Sequence, residues 1–211
     1  SEMCIRDRVM LSEQAIERVR AAVEAAERTT DAEFVTVLTR AADGYHFIPT
    51  LWAAMIALLA PGAALLGPWW ITQTDVFILQ LVVFAVLTGL FRLSWLKTRL
   101  VPRSIKVERA SNLAYRQFLE QGVHRTERGL GVLFFVSEAE HYVQLIADSG
   151  IDAQVDEAEW QRVVDVFTAR VKKGEVEAGF LQAIAAVGVI MHRVAPASNI
   201  RDELPNHLIL L

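Results

Sequence analysis

Carboxylates are the residues whose types and spacing could do chemistry in this sequence. They cluster after two predicted strands in the second half of the chain, at Glu138, Glu140, Asp148, Asp152, Asp156, Glu157 and Glu159. Calcium and magnesium prefer oxygen ligands of this kind, and ligands of α/β folds bind at strand ends. The turn Asp148-Ser-Gly-Ile-Asp152 carries two carboxylates, so the sequence predicts a calcium or magnesium site led by Asp148 and Asp152 and assisted by Asp156 or Glu138. The alternative is a solvated acidic loop in which Asp156 or Glu157 starts a helix, where negative charge is favourable.

Other chemistries find less support in the sequence. Phosphoryl transfer needs a nucleophile or an activated water, together with cations that hold the phosphate oxygens. The sequence has no Walker-type loop, no Cys-x5-Arg loop and no Asp-x-Asp at a strand end. His124 and His141 flank the predicted strand Gly131–Ser137 and would lie ~23 Å apart, too far to share a zinc ion. We therefore expect no zinc site and leave open whether the chain is an enzyme.

Composition restricts the class of protein. The chain has 211 residues, of which 53% are hydrophobic and 22% charged, and its net charge is −4. This apolar content excludes intrinsic disorder, and the negative net charge argues against nucleic acid as a partner. Cys4 is the single cysteine, so an internal disulfide is excluded. Met3–Arg8 reads as a translated sequencing adapter, and we interpret residues 1–9 as an artefact of that origin.

The apolar excess is concentrated in two runs. Ile48–Ile71 is almost wholly apolar, and Val76–Leu96 is interrupted only by Arg92. Both reach the ~20 residues that a membrane span requires, and tryptophans lie near their ends, where the bilayer interface would be. The short connector predicts an antiparallel transmembrane helical hairpin over residues 45–97. The alternative is a hairpin buried in a soluble core.

The distribution of basic residues predicts the orientation of this hairpin. The connector holds no Lys or Arg, whereas basic residues flank both spans, at Arg40, Arg92, Lys97, Arg99, Arg103, Lys106 and Arg109. By the positive-inside rule, both termini and the soluble part lie in the cytoplasm. The bilayer itself is then a partner, and the basic linker 97–106 can contact anionic lipid.

The remaining residues, 10–40 and 106–195, suffice for one discontinuous domain. Apolar residues at helical spacing predict helices that begin after Ser12, end before Gly122, cover Trp160–Val171 and cover Val176–Met191. Glu33–Thr39, Gly131–Ser137 and Tyr142–Ala147 read as strands. The element order, αβ, hairpin, αββαα, predicts an α/β sandwich interrupted by a two-helix transmembrane hairpin, with residues 196–211 as a tail. Glu33–Thr39 and Gly131–Ser137 are expected in one sheet.

The stretch Arg128–Ser137, with the acidic turn Glu138–His141 and the second strand running into Ile146–Ile151, resembles the core of the TPM domain. The hairpin resembles the insertion of a bacterial, membrane-anchored branch of that family. The resemblance implies a Rossmann-like αβα sandwich with a small mixed sheet. Family members have been described as acid phosphatases or calcium binders, with an acidic pocket at one sheet edge. Here Asp148-Ser-Gly-Ile replaces the more usual Gly-Tyr-Gly-Leu.

Two functions follow as expectations. The first is an integral protein of the bacterial inner membrane whose TPM-like domain docks another membrane or membrane-associated protein at the cytoplasmic face. The second is a divalent-metal-dependent phosphatase that acts near the membrane. The absence of a nucleophile motif favours the first. A transporter is disfavoured because two spans without intramembrane acids or bases provide no pathway.

Overall fold

The structure is a computed structural model that describes residues 11–45, 47–65, 72–91, 93, 101–126, 128–198 and 208–211. Several sequence predictions lie outside these residues: the adapter-derived segment 1–9, the last part of the first apolar run at 66–71, Arg92, and the predicted interfacial tryptophans Trp69, Trp70 and Trp95. Residues 94–100, which include the first part of the basic linker, and residues 199–207 of the tail are also outside them.

The described chain forms helices and strands in the order that the sequence predicts. It has one additional short helix after the third strand and one additional strand at the carboxyl terminus. The elements are α1 (Glu13–Glu27), β1 (Glu33–Thr39), α2 (Phe47–Leu65), α3 (Gln73–Phe91), α4 (Arg103–Glu120), β2 (Gly131–Ser137), β3 (Tyr142–Ala147), α5 (Ser149–Asp152), α6 (Glu157–Lys172), α7 (Val176–Val194) and β4 (Leu208–Leu210). Ser12 caps α1 by accepting a hydrogen bond from the Ala15 amide at 3.2 Å. Gly122, with φ of 73°, takes the left-handed conformation that ends α4.

The four strands form one mixed sheet in the order β3-β2-β1-β4. β1 pairs in parallel with β2 from Glu33↔Gly131 to Thr39↔Ser137, although the whole hairpin lies between them in sequence. β2 and β3 are antiparallel, and β4 adds to the free edge of β1 in parallel. The predicted mixed α/β fold and the pairing of β1 with β2 are confirmed.

One face of this sheet carries the main hydrophobic core. Phe34 of β1 and Phe134 of β2 are buried there with side chains of α1, α6 and α7. The ring of Phe134 meets the rings of Phe167 and Phe180 edge to face, with centroids 5.2 and 5.7 Å apart. Such contacts are worth about 0.5–1.5 kcal/mol beyond burial, and they fix α6 and α7 on the sheet.

The opposite face of the central strands is buried as well, as their continuous apolar runs predict. Val35, Val37, Leu133 and Phe135 project there and are at most 4% exposed.

Beyond the end of α4, a 3-10 turn (Val123–Arg125) packs so closely on Gly131 that a Cβ there would lie 2.2 Å from the Val123 carbonyl oxygen. Gly131 is therefore required by space rather than by backbone conformation.

Two short elements were not predicted. Asp148-Ser149-Gly150, expected as a turn, starts the short helix α5, and Asp148 caps it. Part of the expected tail, Leu208–Leu210, is strand β4, whose neighbour Leu211 exchanges backbone hydrogen bonds with β1: its amide donates to the Leu38 carbonyl at 3.0 Å, and its carbonyl accepts from the Arg40 amide at 3.3 Å.

The described residues divide into two compact units. One comprises residues of 1–40 and 111–211 and holds the sheet, and the other comprises 41–110 and holds α2 and α3. α3 has a mean hydropathy of 2.1, and only 6% of its most apolar window is buried. α7 also passes the length and composition test for a span, with a hydropathy of 1.2, but 44% of its window is buried in the core of the first unit. By these criteria α3 is the stronger membrane candidate, and α2 contributes the shorter apolar stretch Phe47–Gly62.

Candidate functional site

Two of the four predicted metal ligands cap helices. Asp148 Oδ1 accepts a hydrogen bond from the Ser149 amide at 2.6 Å at the start of α5. Asp156 Oδ1 accepts one from the Ala158 amide at 3.1 Å at the start of α6. Asp152 is the exposed last residue of α5. The reading in which Asp156 begins a helix is therefore the arrangement that the structure has, and capping residues of this type stabilise a helix by about 1 kcal/mol.

The fourth predicted ligand, Glu138, is separated from the others by the length of the sheet. Glu138 follows the carboxyl end of β2, whereas Asp148 follows the carboxyl end of β3. The antiparallel register pairs Ser137 with Tyr142 at one end and Val132 with Ala147 at the other. Six strand residues span roughly 20 Å, so a single cation cannot be held by Glu138 and Asp148 together.

No three side chains of His, Cys, Asp or Glu come close enough to hold a metal ion among the residues that the structure describes. The acidic residues of the sequence are thus distributed over the β2–β3 turn, the short helix α5 and the start of α6. Asp148 and Asp156 accept backbone hydrogen bonds, whereas Glu140 accepts from Ser137 and Glu159 pairs with Arg193.

The β2–β3 turn holds a buried polar pair that the sequence analysis did not single out. The Ser137 hydroxyl donates to Glu140 Oε2, and these residues are 1% and 7% exposed. The amides of Glu138 and Ala139 donate to the carbonyls of Thr39 and Arg40, each at 3.0 Å. The pair therefore closes the turn, and the two amide hydrogen bonds tie the turn to β1. The sequence analysis counted Glu140 among the clustered carboxylates but did not pair it with Ser137.

A shallow apolar groove lies along the pair α1–α7, which we call the α1–α7 groove. Its volume is about 510 Å³, and its walls are Ala22, Ala25, Ala26, Thr29, Leu181, Ile184, Ala185, Gly188, Val189 and His192. The two helices approach closely because Gly188 has no side chain, since a Cβ there would lie 3.1 Å from the Cβ of Ala26. Val189, on the groove wall, is 71% exposed. The groove can accept bulky apolar side chains, and it has no constellation of acids, bases or nucleophiles.

Polar contacts fix both ends of this groove. Near the start of α7, Arg18 makes a bidentate ion pair with Glu177, with Nη2 2.9 Å from Oε2. This hydrogen bond lowers the pKa of Glu177 and raises that of Arg18, which keeps both groups charged. At the other end, Nδ1 of His192 donates to the carbonyl oxygen of Thr29 at 2.6 Å. The sequence could not show the groove, because its two walls are more than 150 positions apart; small residues on α1 and α7 were the one available signal.

Comparison with known proteins bears on this first unit. Residues 100–190 match the family model TPM_phosphatase, the TPM domain. Over this segment the chain is similar to the TPM domain. The match covers α4, β2, β3, α5, α6 and most of α7, and the resemblance on Arg128–Ile151 is confirmed.

The chain also has a solved structural relative. The NMR structure of the BA42 protein from the psychrophilic bacterium Bizionia argentinensis aligns with a TM-score of 0.59 at 15% identity, covering 99% of each chain. At that identity the likeness shows the fold alone. No curated protein matches the chain in sequence.

Proposed function

We propose that this chain is a membrane-anchored TPM domain that serves as an interaction or assembly module on the cytoplasmic face of the bacterial inner membrane. The observation that carries the proposal is the exposure of α3. This helix has 19 residues and a mean hydropathy of 2.1, and only 6% of its most apolar window is buried. A helix that is apolar all round belongs in a core or in a membrane, and α3 is not in a core.

The exposed apolar surface of the hairpin supports an anchor. Large hydrophobic side chains that are at least half exposed are concentrated in α2 and α3, at Phe47, Leu51, Leu58, Leu59, Phe77, Ile78, Leu81, Val82 and Val86. Soluble monomers rarely expose contiguous apolar patches beyond a few hundred Å². Lipid is the environment in which such a surface is stable, and α2 and α3 pack on each other as a hairpin would.

The distribution of basic residues supports a cytoplasmic position for both ends of the hairpin. The sequence of the connector carries no Lys or Arg, and basic residues lie outside both apolar helices. With an antiparallel hairpin, both flanks emerge on one side, and the excess of Lys and Arg assigns that side to the cytoplasm. The TPM domain, which both flanks enter, is then cytoplasmic.

The α1–α7 groove supports the docking role. An apolar helix of another membrane or membrane-associated protein suits its shape, because small side chains on both walls let bulky apolar side chains lie between α1 and α7. The phosphatase alternative lacks a comparable feature: within the described ranges, the acidic side chains that it would need for a metal lie apart.

Membrane extraction tests the anchor. Wild-type chain should stay in the membrane pellet after an alkaline carbonate wash. In the double variant Val82→Lys and Val86→Lys, two residues that are 53% and 61% exposed on α3 become charged. Each lysine at mid-span costs about 2.5–3.5 kcal/mol of insertion, so most of the variant should leave the pellet.

The matched control is Val82→Ala with Val86→Ala, which shortens the same side chains without adding charge and should remain in the pellet. Release of wild-type chain by carbonate, as for a peripheral protein, would contradict the anchor.

A further inference from the structure

We propose that the first two turns of α4 bind the headgroups of anionic phospholipids. This inference rests on the proposed membrane anchor and adds the lipid class that it contacts. The segment concerned is Val101–Arg109, which follows the second apolar helix in the chain and lies in the same unit as the hairpin.

Packing places this segment beside the end of the hairpin where the chain enters. Val101 and the half-buried Ile105 pack on Tyr45 and Ile48, which lie just before and within the first turn of α2. Tyr45, Ile48 and Val101 are at most 4% exposed. Because α2 begins at Phe47, this contact sets the start of α4 at the depth where an inserted α2 would meet the headgroup layer.

The segment carries three cations, Arg103, Lys106 and Arg109, and one exposed acid, Glu108. Arg109 Nε lies 3.5 Å from Asp43 Oδ2, so this cation already has an acidic partner. Arg103 and Lys106 have no ion-pair partner in the part of the chain that the structure describes. They stand three residues apart and so share one face of the helix, with Arg103 exposed and Lys106 half-buried.

The neighbouring apolar residue suits an interfacial helix. Val107 follows Lys106 and is 39% exposed. A helix that presents cations beside apolar side chains lies at the boundary of headgroups and acyl chains. Each Lys or Arg near an anionic leaflet contributes about 1 kcal/mol of attraction to that leaflet, which corresponds to about a five-fold stronger association per cation.

Lipid-specific quenching tests the inference on the full chain. Val107→Cys, in a Cys4→Ser background, carries a bimane fluorophore, and the chain is reconstituted in phosphatidylcholine vesicles containing phosphatidylglycerol. In each sample only one of the two lipids is brominated, and the brominated lipid is present at the same mole fraction in both samples. We expect brominated phosphatidylglycerol to quench more strongly than brominated phosphatidylcholine, and we expect ~0.5 M NaCl to reduce the difference by screening.

Arg103→Gln with Lys106→Gln should abolish this preference. The control is Arg116→Gln, which removes an exposed cation of the same helix that pairs with Glu120 at 3.5 Å; the preference should survive it. Equal quenching by the two lipids in vesicles that retain the protein would overturn the lipid contact and leave the anchor standing. Failure of the chain to float with either vesicle would overturn the anchor and the lipid contact together. If added inorganic phosphate abolishes the preference and sodium chloride of equal ionic strength does not, the site binds free anions, and the lipid assignment is overturned.

Discussion

Replacing Phe134 with alanine should lower the free energy of unfolding by about 3–5 kcal/mol. Phe134 is fully buried in the centre of β2, and its ring contacts two other rings, one on α6 and one on α7. Its loss leaves a cavity at the point where the sheet and both helices meet. Since domains are stable by only about 5–15 kcal/mol, the first unit of this variant should be largely unfolded at moderate urea. Pulse proteolysis in urea, on the full chain in mild detergent, measures this.

Val189→Ala is the control for Phe134→Ala, because it also shortens an apolar side chain of the first unit but at a site that is 71% exposed. Its free energy of unfolding should stay within about 0.5 kcal/mol of the wild-type value. Equal effects of the two substitutions would mean that the three-ring cluster does not organise the core.

Adding a single methyl group at Gly131 should destabilise the domain by about 3 kcal/mol or more, at or beyond the upper end for overpacked sites. In Gly131→Ala the new Cβ would lie 2.2 Å from the Val123 carbonyl oxygen and 2.6 Å from Val123 Cγ1. Gly131 cannot move away without disturbing its pairing with Glu33, and Val123 is itself fully buried. The same proteolysis assay gives the change in unfolding free energy.

Gly174→Ala separates this clash from backbone strain. Gly174 has φ of 79°, and no atom lies within 4 Å of the position that a Cβ would take there. The substitution should therefore cost only the ~1–2 kcal/mol of a left-handed residue with a side chain. A smaller loss for Gly131→Ala than for Gly174→Ala would contradict the close packing of Val123 on β2.

The three longer strands were predicted to the residue because local signals agree at their ends. Apolar β-branched and aromatic residues fill Glu33–Thr39 and Gly131–Ser137, and turn residues bound them on both sides. β4 escaped prediction because three residues are too few to show a period, and Leu208–Leu210 is a strand only through its pairing with β1. α5 is equally short, and its Asp148 cap reads in sequence like any acidic turn.

The candidate sites were harder to predict, because they depend on tertiary geometry. In sequence, Glu138 and Asp148 are ten positions apart and looked like one acidic cluster, yet the β2–β3 hairpin turns them to opposite ends of the sheet. The α1–α7 groove exists only because two helices far apart in sequence pack side by side. Spacing along the chain indicates which side chains share an element, whereas the sheet register and the helix pairing decide which of them meet.

The most direct test of the membrane-anchored domain is the side of the membrane on which each end of the hairpin lies. A pair of topology reporters, one active only in the cytoplasm and the other only in the periplasm, is fused after Leu211 and, separately, inserted at the start of the connector, after Ile71. We predict cytoplasmic activity at Leu211 and periplasmic activity at Ile71, because the flanks are basic and the connector carries no Lys or Arg. Cytoplasmic activity at both positions would show that the hairpin does not cross the bilayer. Periplasmic activity at Leu211 would place the first unit in the periplasm and contradict the proposed orientation.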